Sequence, residues 1–293
     1  MIDTLCIGGG GIKGISFVGA LSYLEENDFI NINKINTFVG TSAGSILAFF
    51  LNIGFSIQEL TDFVIKFNFD KFQIQINCNT FLSKYGIDTG EKMMTLIKTF
   101  LQEKYNTEDI TFADLYNKTK KNLKILTTNY TLSRNEIFDH VNTPDVSVIL
   151  AIRMSISVPF MFTPIEYNGN YYVDGGITCN FGLFCCNKDT TLGLAISNVK
   201  EKNKIESFPE YFINLCNILI ESNTMNSIRY FDEKKFKFNY ILIECRQKES
   251  MDFTINKDKI NNLLEDGKIS AKKYYSNFVI NEVLNEIVEK ISK

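Results

Sequence analysis

Histidine is almost missing from this chain of 293 residues; the one present is His140. A catalytic triad needing an imidazole could use only that residue, and a metal site would lack the commonest nitrogen ligand. The seven cysteines, Cys6, Cys78, Cys179, Cys185, Cys186, Cys216 and Cys245, are odd in number and show no CxxC spacing. They read as reduced thiols of a cytosolic protein, and with one histidine they form no cluster of metal-ligating spacing. A basic excess is also absent. Lys and Arg number 31 against 34 Asp and Glu, a net charge of −3. That leaves no electrostatic case for nucleic acid, nor for strong attraction to an anionic membrane. No apolar run approaches the roughly 18 residues of a spanning helix. Met1 to Ile7 include Asp3 and run straight into glycines, so no signal peptide is expected. No repeat or low-complexity linker interrupts the chain.

What is present suits a globular core. Hydrophobic residues make up 45% and charged residues 22%, outside the disordered range. Asp3 to Ile7 reads as a strand ending in Gly8-Gly9-Gly10-Gly11. Helical periodicity follows from Ile12. A second strand, Thr37 to Val39, runs into Gly40, and a helix follows from Ala43 to Ile53. Strand, glycine turn and helix, twice over, favour a mostly parallel sheet between helices. Further helices are expected over Ile57–Phe67, Glu91–Lys104, Asp145–Ser155, Ile205–Asn223 and Ile260–Ile291. Strands are expected over Leu123–Asn129, Glu136–Phe138, Thr191–Ser197 and Asn239–Cys245, with a hairpin turning at Asn168-Gly169. Phe67 to Gly86 is the most irregular stretch. The economical organisation is one domain over 1–293. Its motif core spans about 3–200, and the strand and helices of about 201–293 complete it.

Three motifs carry chemistry. Gly40-Thr41-Ser42-Ala43-Gly44 matches G-x-S-x-G and falls between a strand and a helix. There a serine Oγ would be exposed on a sharp turn, although Ser42 could also merely cap the helix. Gly9-x-Gly11-x-x-Gly14 matches a dinucleotide fingerprint, but no acidic residue ends the second strand, and no Gly-Lys-Ser/Thr follows for a P-loop. The remaining uses are an oxyanion-binding turn, with Gly10 and Gly11 leaving backbone N–H groups open to a carbonyl, or a plain tight turn. Asp174-Gly175-Gly176 ends the second hairpin strand, where an aspartate could face a cleft. A Ser42, Asp114, His140 triad is formally open. It is disfavoured because only two strands precede Ser42 and His140 sits in a polar connector.

Taken together, Gly9-Gly10-Gly11-Ile12-Lys13-Gly14, Gly40-Thr41-Ser42-Ala43-Gly44 and Asp174-Gly175-Gly176, in that order, resemble the patatin-like phospholipase family. Ser155-Ile156-Ser157-Val158-Pro159 with Phe162 and Pro164, then Asn180, and then Leu263 to Lys273 extend the likeness over nearly the whole chain. Phe181-Gly182 departs from the Asn-Pro common in the family. The resemblance implies a three-layer α/β/α sandwich with a mostly parallel central sheet. It implies hydrolysis of glycerolipid or phospholipid acyl esters by a Ser42–Asp174 dyad through an acyl-enzyme, with no cofactor. Amides of Gly10, Gly11 and Ile12 would form the oxyanion hole. Gly9, Lys13, Gly14, Gly40, Gly44, Gly175 and Gly176 would support the motifs. The expected partner is a lipid substrate met by transient contact with a membrane surface, and the expected place is the cytoplasm or the periphery of a membrane. An apolar acyl wall is expected to include part of Pro159-Phe160-Met161-Phe162, with Phe160 and Phe162 on one side. A transacylase on the same site and a catalytically silent lipid-binding protein stay open.

Overall fold

Leu5 and Ile7 enter one core while Cys6, between them, enters another. This is the period-two alternation of a strand buried on both faces. The computed structural model describes residues 2–69, 81, 83–198, 205, 208–234, 238–246 and 255–291. Its strands are β1 (Thr4–Ile7), β2 (Thr37–Thr41), β3 (Gly86–Asp88), β4 (Asn122–Asn129), β5 (Arg134–Phe138), β6 (Phe160–Phe162), β7 (Ile165–Tyr167), β8 (Asn170–Asp174), β9 (Thr191–Asn198) and β10 (Asn239–Cys245). Its helices are α1 (Ile15–Glu26), α2 (Ala43–Asn52), α3 (Ile57–Lys66), α4 (Glu91–Tyr105), α5 (Phe112–Thr119), α6 (Val148–Ser155), α7 (Gly176–Cys179), α8 (Phe208–Glu233) and α9 (Lys257–Ile291).

The main sheet runs β10-β9-β1-β2-β4-β8-β7, and β5 also pairs with β4. The pairs from β10 through β4 are parallel, while β5, β8 and β7 join antiparallel. Phe38, Ile125 and Leu194 share the first core with Leu5, against Phe17, Phe49, Leu60 and Leu263 of the helices. Val39, Leu126 and Ala195 share the second with Cys6, against Cys179 and Ile228. Helices therefore cover both faces, giving the expected α/β/α layers. The hairpin turns at Asn168 and Gly169, both at positive φ (47° and 71°), as a type I′ turn requires.

One edge of β4 is shared. Ile125 and Leu126 pair with β2 on one side and β5 on the other; Thr127 to Asn129 pair with β5 and β8. So β8 takes up the edge where β2 leaves it. Thr41 lies opposite Leu126, and Asp174 lies opposite the next residue, Thr127.

Some elements differ from expectation. The helix expected from Asp145 starts at Val148, because the Ser147 hydroxyl caps it by accepting the Leu150 N–H (3.1 Å). The helix expected to stop at Asn223 continues to Glu233. Asn223 spends its amide on the carbonyls of Gly176 and Ile177 (3.2 and 2.5 Å) and leaves the helix backbone intact. Helix α5 was not expected; Thr111 caps it, accepting the Asp114 N–H. Of the irregular stretch Phe67–Gly86, residues 70–80 and 82 lie outside the described residues, as does Cys78. The other six cysteines are free thiols.

Helix α9 lies along α1 with glycine against backbone. A β-carbon on Gly19 would strike the Leu264 carbonyl, and one on Gly267 the Ser16 carbonyl oxygen. In an open helix, Gly→Ala gains about 1 kcal/mol. Here the obstacle is backbone that cannot rotate away, and overpacking costs roughly 1–3 kcal/mol. Gly267→Ala should therefore lower the stability measured by urea unfolding by about 1–2 kcal/mol. A variant as stable as wild type would contradict the close approach of the two helices.

Candidate active site

Strand β2 passes into α2 at Ser42, whose backbone lies at φ 53° and ψ −127°. A non-glycine residue held there costs roughly 1–3 kcal/mol, so its surroundings must enforce it. The Ser42 N–H donates to Ser155 Oγ (2.8 Å), and Ser155 Oγ donates to the Leu126 carbonyl (2.7 Å). The Ser45 N–H and hydroxyl both donate to the Ser42 carbonyl (2.8 and 2.6 Å). The flanking glycines provide room. A β-carbon on Gly40 would strike Gly44 and Ser45, and one on Gly44 the carbonyls of Ile7 and Gly8. The Ser42 side chain caps no helix N–H. It is 7% exposed, and its hydroxyl donates to Asp174 Oδ2 at 2.6 Å.

Asp174 has no exposed surface. The edge of β4 brings it to Ser42, and other bonds hold it there. Its N–H donates to the Ser157 carbonyl (2.8 Å), its carbonyl accepts from Thr128 Oγ1 (2.8 Å), and Oδ1 accepts the Gly176 N–H (2.7 Å). Gly175 sits where a β-carbon would strike the Leu126 carbonyl. Burial pushes the Asp174 carboxyl from its ordinary 3.8 up to about 7, against the opposing hydrogen bonds from Ser42 and Gly176. Desolvation penalises the carboxylate more than two donors restore it.

The glycine turn faces the same point. Gly10 precedes a single 3-10 turn, Gly11–Gly14, and Gly11 adopts φ +54°. The Gly9 N–H donates to the Asn180 carbonyl and to Asn180 Oδ1 (3.2 and 3.1 Å). Asn180 thereby locks the turn to the segment after Asp174, despite Phe181-Gly182 following it. Gly14 packs on Ala43, the residue after Ser42. Lys13 is buried, 1% exposed. Its charge acts on the Cys245 thiol, which burial pushes up to about 11 and Lys13 draws down.

Two cavities meet at Ser42. One of about 160 Å³ is apolar, walled by Val18, Phe50, Phe63, Leu96, Val158 and Phe162 among others. The second, about 30 Å³, is the more polar of the two, with Asp174, Asn180 and Thr224 beside Ile196 and Ile220. Gly11 and Ser42 belong to both, Gly10 to the polar one and Ile12 to the apolar one. Of the expected wall segment, Phe162 lines the apolar cavity. Phe160, at φ +69°, packs instead on Phe81 and Phe212.

His140 and Asp114 are engaged elsewhere. The His140 ring stacks on Tyr116 (3.9 Å between centroids), and the Asp114 carboxylate accepts from Thr111 Oγ1 (2.9 Å). Among the described residues no group of three or more His, Cys, Asp or Glu could hold a metal. No described helix is long and apolar enough to cross a membrane. Sequence reasoning missed the roles of Thr128 and of the α8 residues on the polar cavity wall. It saw Ser155 and Ser157 only as a matching segment.

A three-layer α/β sandwich with a serine on a strained strand-to-helix turn is the class that fold and site define. Within that class, a family model described as patatin-like phospholipase matches residues 5–184, and the chain belongs to the patatin-like phospholipase family. Protein R571 of Acanthamoeba polyphaga mimivirus is 32% identical over 286 residues, covering 92% of this chain and 93% of its own. A probable lipid hydrolase, 463L of Invertebrate iridescent virus 6, is 33% identical over 209 residues, covering 70% of this chain and 67% of its own. The crystal structure of VipD from Legionella pneumophila shares the fold with a TM-score of 0.68 at 15% identity, over 94% of this chain and 67% of VipD.

The raised carboxyl of Asp174 has a consequence for stability. The folded protein holds that proton more tightly than the unfolded chain. The resulting stabilisation is complete below the unfolded pKa near 3.9, falls as pH rises, and is gone above about 7. Asp174→Asn removes the titration. Between pH 5 and pH 8, wild type should lose about 2–3 kcal/mol relative to the Asn variant in urea unfolding. Parallel pH dependences would show that the carboxyl is not raised.

Proposed function

We propose that the protein hydrolyses acyl esters of glycerolipids or phospholipids, with Ser42 as nucleophile and Asp174 as its base. The observation that carries this reading is the 2.6 Å hydrogen bond from Ser42 Oγ to a fully buried Asp174 carboxylate. A carboxyl near 7 is a stronger base than an ordinary aspartate and is about half ionised at neutral pH. Ser42 Oγ attacks the ester carbonyl carbon as its proton passes to Asp174. The carbonyl oxygen takes the negative charge and is met by the N–H groups of Gly10, Gly11 and Ile12. The tetrahedral adduct collapses, and the C–O bond to the alcohol breaks. The alcohol leaves with the proton from Asp174, and the acyl group stays on Ser42. Water then gives its proton to Asp174, attacks the acyl-enzyme and releases the fatty acid, and the proton returns to Ser42. The apolar cavity suits the acyl chain, and the name of the relative 463L agrees with lipid hydrolysis.

The test is turnover of p-nitrophenyl butyrate. Ser42→Ala and Asp174→Asn should each lose at least about 10³-fold in kcat, and the double variant should be little worse than either single one, because the two act as a unit. His140→Asn should keep most activity. Wild-type turnover in Ser42→Ala, or inactivity of a folded His140→Asn, would defeat the dyad.

Substrate is met at a membrane surface, in this reading, from the cytoplasm. Tyr211, Leu215, Ile218 and Leu219 are 42%, 40%, 51% and 48% exposed. From Tyr211 to Ile220 helix α8 carries no charged residue, and Asn217 and Ile220 of the same stretch line the polar cavity. The ridge therefore stands beside the site and exposes apolar surface that is costly in water. Replacing Leu215, Ile218 and Leu219 by Ser should reduce sedimentation with phosphatidylcholine vesicles at least about fivefold. Equal sedimentation would place membrane contact elsewhere.

A further inference from the structure

The apolar cavity has a direction. Ser42 stands at the start of α2, and Ala43, Ile46, Leu47 and Phe50 of that helix line the cavity. Their spacing puts them on one helix face, so the wall runs along α2 away from the Ser42 hydroxyl. One side is open, where the lining residues Ile46, Met93 and Leu96 are half-buried. The far end is closed. Phe50 is 6% exposed, and Leu60, which also lines the cavity, is 3% exposed. Phe55 and Phe100 back Phe50 from outside the lining, with ring centroids 5.9 and 4.8 Å from its own. Length and volume can be compared. A helix rises about 1.5 Å per residue, so the path from Ser42 to Phe50 spans about 12 Å, and the backward lean of the Phe50 side chain shortens it to about 10 Å. An extended alkyl chain advances about 1.3 Å per carbon on tetrahedral bonds of about 1.5 Å, so that path takes about eight carbons. The cavity volume of about 160 Å³ is close to the roughly 150 Å³ of an apolar cavity that admits a six-carbon ring.

We propose that this cavity measures the acyl chain, and that Phe50 is the stop that limits it to about eight carbons beyond Ser42. The proposal rests on the reading of Ser42 as the nucleophile, which fixes where the chain begins. Each methylene that enters the cavity leaves water and gains roughly fourfold in transition-state binding. A methylene beyond Phe50 has no room ahead of it. It either bends the chain back toward the open side or pushes on a ring that Phe55 and Phe100 hold in place, and a packed core yields little to such pressure. The favoured substrate class is an ester of a medium-chain fatty acid.

The experiment measures kcat/KM of the full chain on p-nitrophenyl butyrate, octanoate, dodecanoate and palmitate, at equal mole fraction in Triton X-100 micelles. In wild type it should rise at least about tenfold from butyrate to octanoate and fall at least about threefold from octanoate to palmitate. Phe50→Ala and Phe50→Leu should each raise the ratio of dodecanoate to octanoate at least about threefold, because a shorter side chain frees the space before Phe55 and Phe100. The Leu variant keeps the core apolar and the test valid if the Ala variant unfolds. A side chain that only packs the core would lower Tm and leave that ratio where it was. A wild-type profile that is flat or climbs steadily to palmitate overturns the proposal, and so does a ratio unmoved in the folded variants. Ser42→Ala is measured in parallel. If it matches wild type, the nucleophile reading itself fails, whereas an inactive Ser42→Ala with an unmoved ratio removes only the chain-length proposal.

Discussion

The hydrogen bond between Ser42 and Asp174 joins residues from distant parts of the chain, and the edge of β4 makes it possible. Strand β2 leaves that edge after Thr41, and β8 takes it up at Asp174, one residue further along β4. The ladder bonds that stabilise the sheet therefore also set the distance between the two side chains. Moving β8 by a single residue would turn Asp174 to the opposite face and leave Ser42 facing another group. The serines after α6 reinforce the arrangement from the same neighbourhood. Ser155 bonds the Ser42 N–H, and the Ser157 carbonyl accepts the Asp174 N–H. Arg153 braces that segment from beneath, donating to Ser157 Oγ, to the Thr89 carbonyl and to Thr163. Burial draws its guanidinium down to about 10, with Asp88 opposing.

Bringing the elements this close carries a cost, and glycine limits it. At Gly40, Gly44 and Gly175 a β-carbon would meet main-chain atoms. Each is a place where the elbow, β1 or β4 approaches another backbone directly. The strain this permits is concentrated on Ser42, the one residue of the elbow outside the ordinary backbone regions. Four hydrogen bonds to its N–H, carbonyl and hydroxyl hold it there. That is how a site can retain a conformation its own residue disfavours.

This logic explains what could be read from the sequence. Close approach demands glycine locally, so the three glycine motifs were visible, as were the parallel sheet and the Asn168-Gly169 hairpin. Each rests on neighbours within a few residues. The pairing of Ser42 with Asp174 spans 132 positions and leaves no periodicity; it became readable only through resemblance to a family. Helix α5 escaped notice because its signal is a single Thr111 cap before a short amphipathic stretch. The helix that ends at Asn223 in the sequence reading runs on to Glu233, and the Asn223 side chain bonds the carbonyls of Gly176 and Ile177, a partner no local signal in the sequence gives. Helix α8 was recognised as a helix. Nothing local says which face of it closes the site, since that depends on where β9 and β10 direct the chain.

The same sheet that fixes the Ser42–Asp174 pair also divides its surroundings. Residues of α1, α2, α3 and α4 build the apolar cavity as an outgrowth of the first core, so Phe50 and Leu60 belong to both. The polar cavity lies against α8, which covers the other face. Between them stands the turn Gly10–Ile12, thin because two of its three residues lack a side chain. A wider partition would separate Ser42 from one of the two cavities. The glycines of this turn thus let a single hydroxyl face unlike environments on its two sides. An ester of the proposed substrate class has a matching polarity, with a chain on one side of its carbonyl and an alcohol on the other.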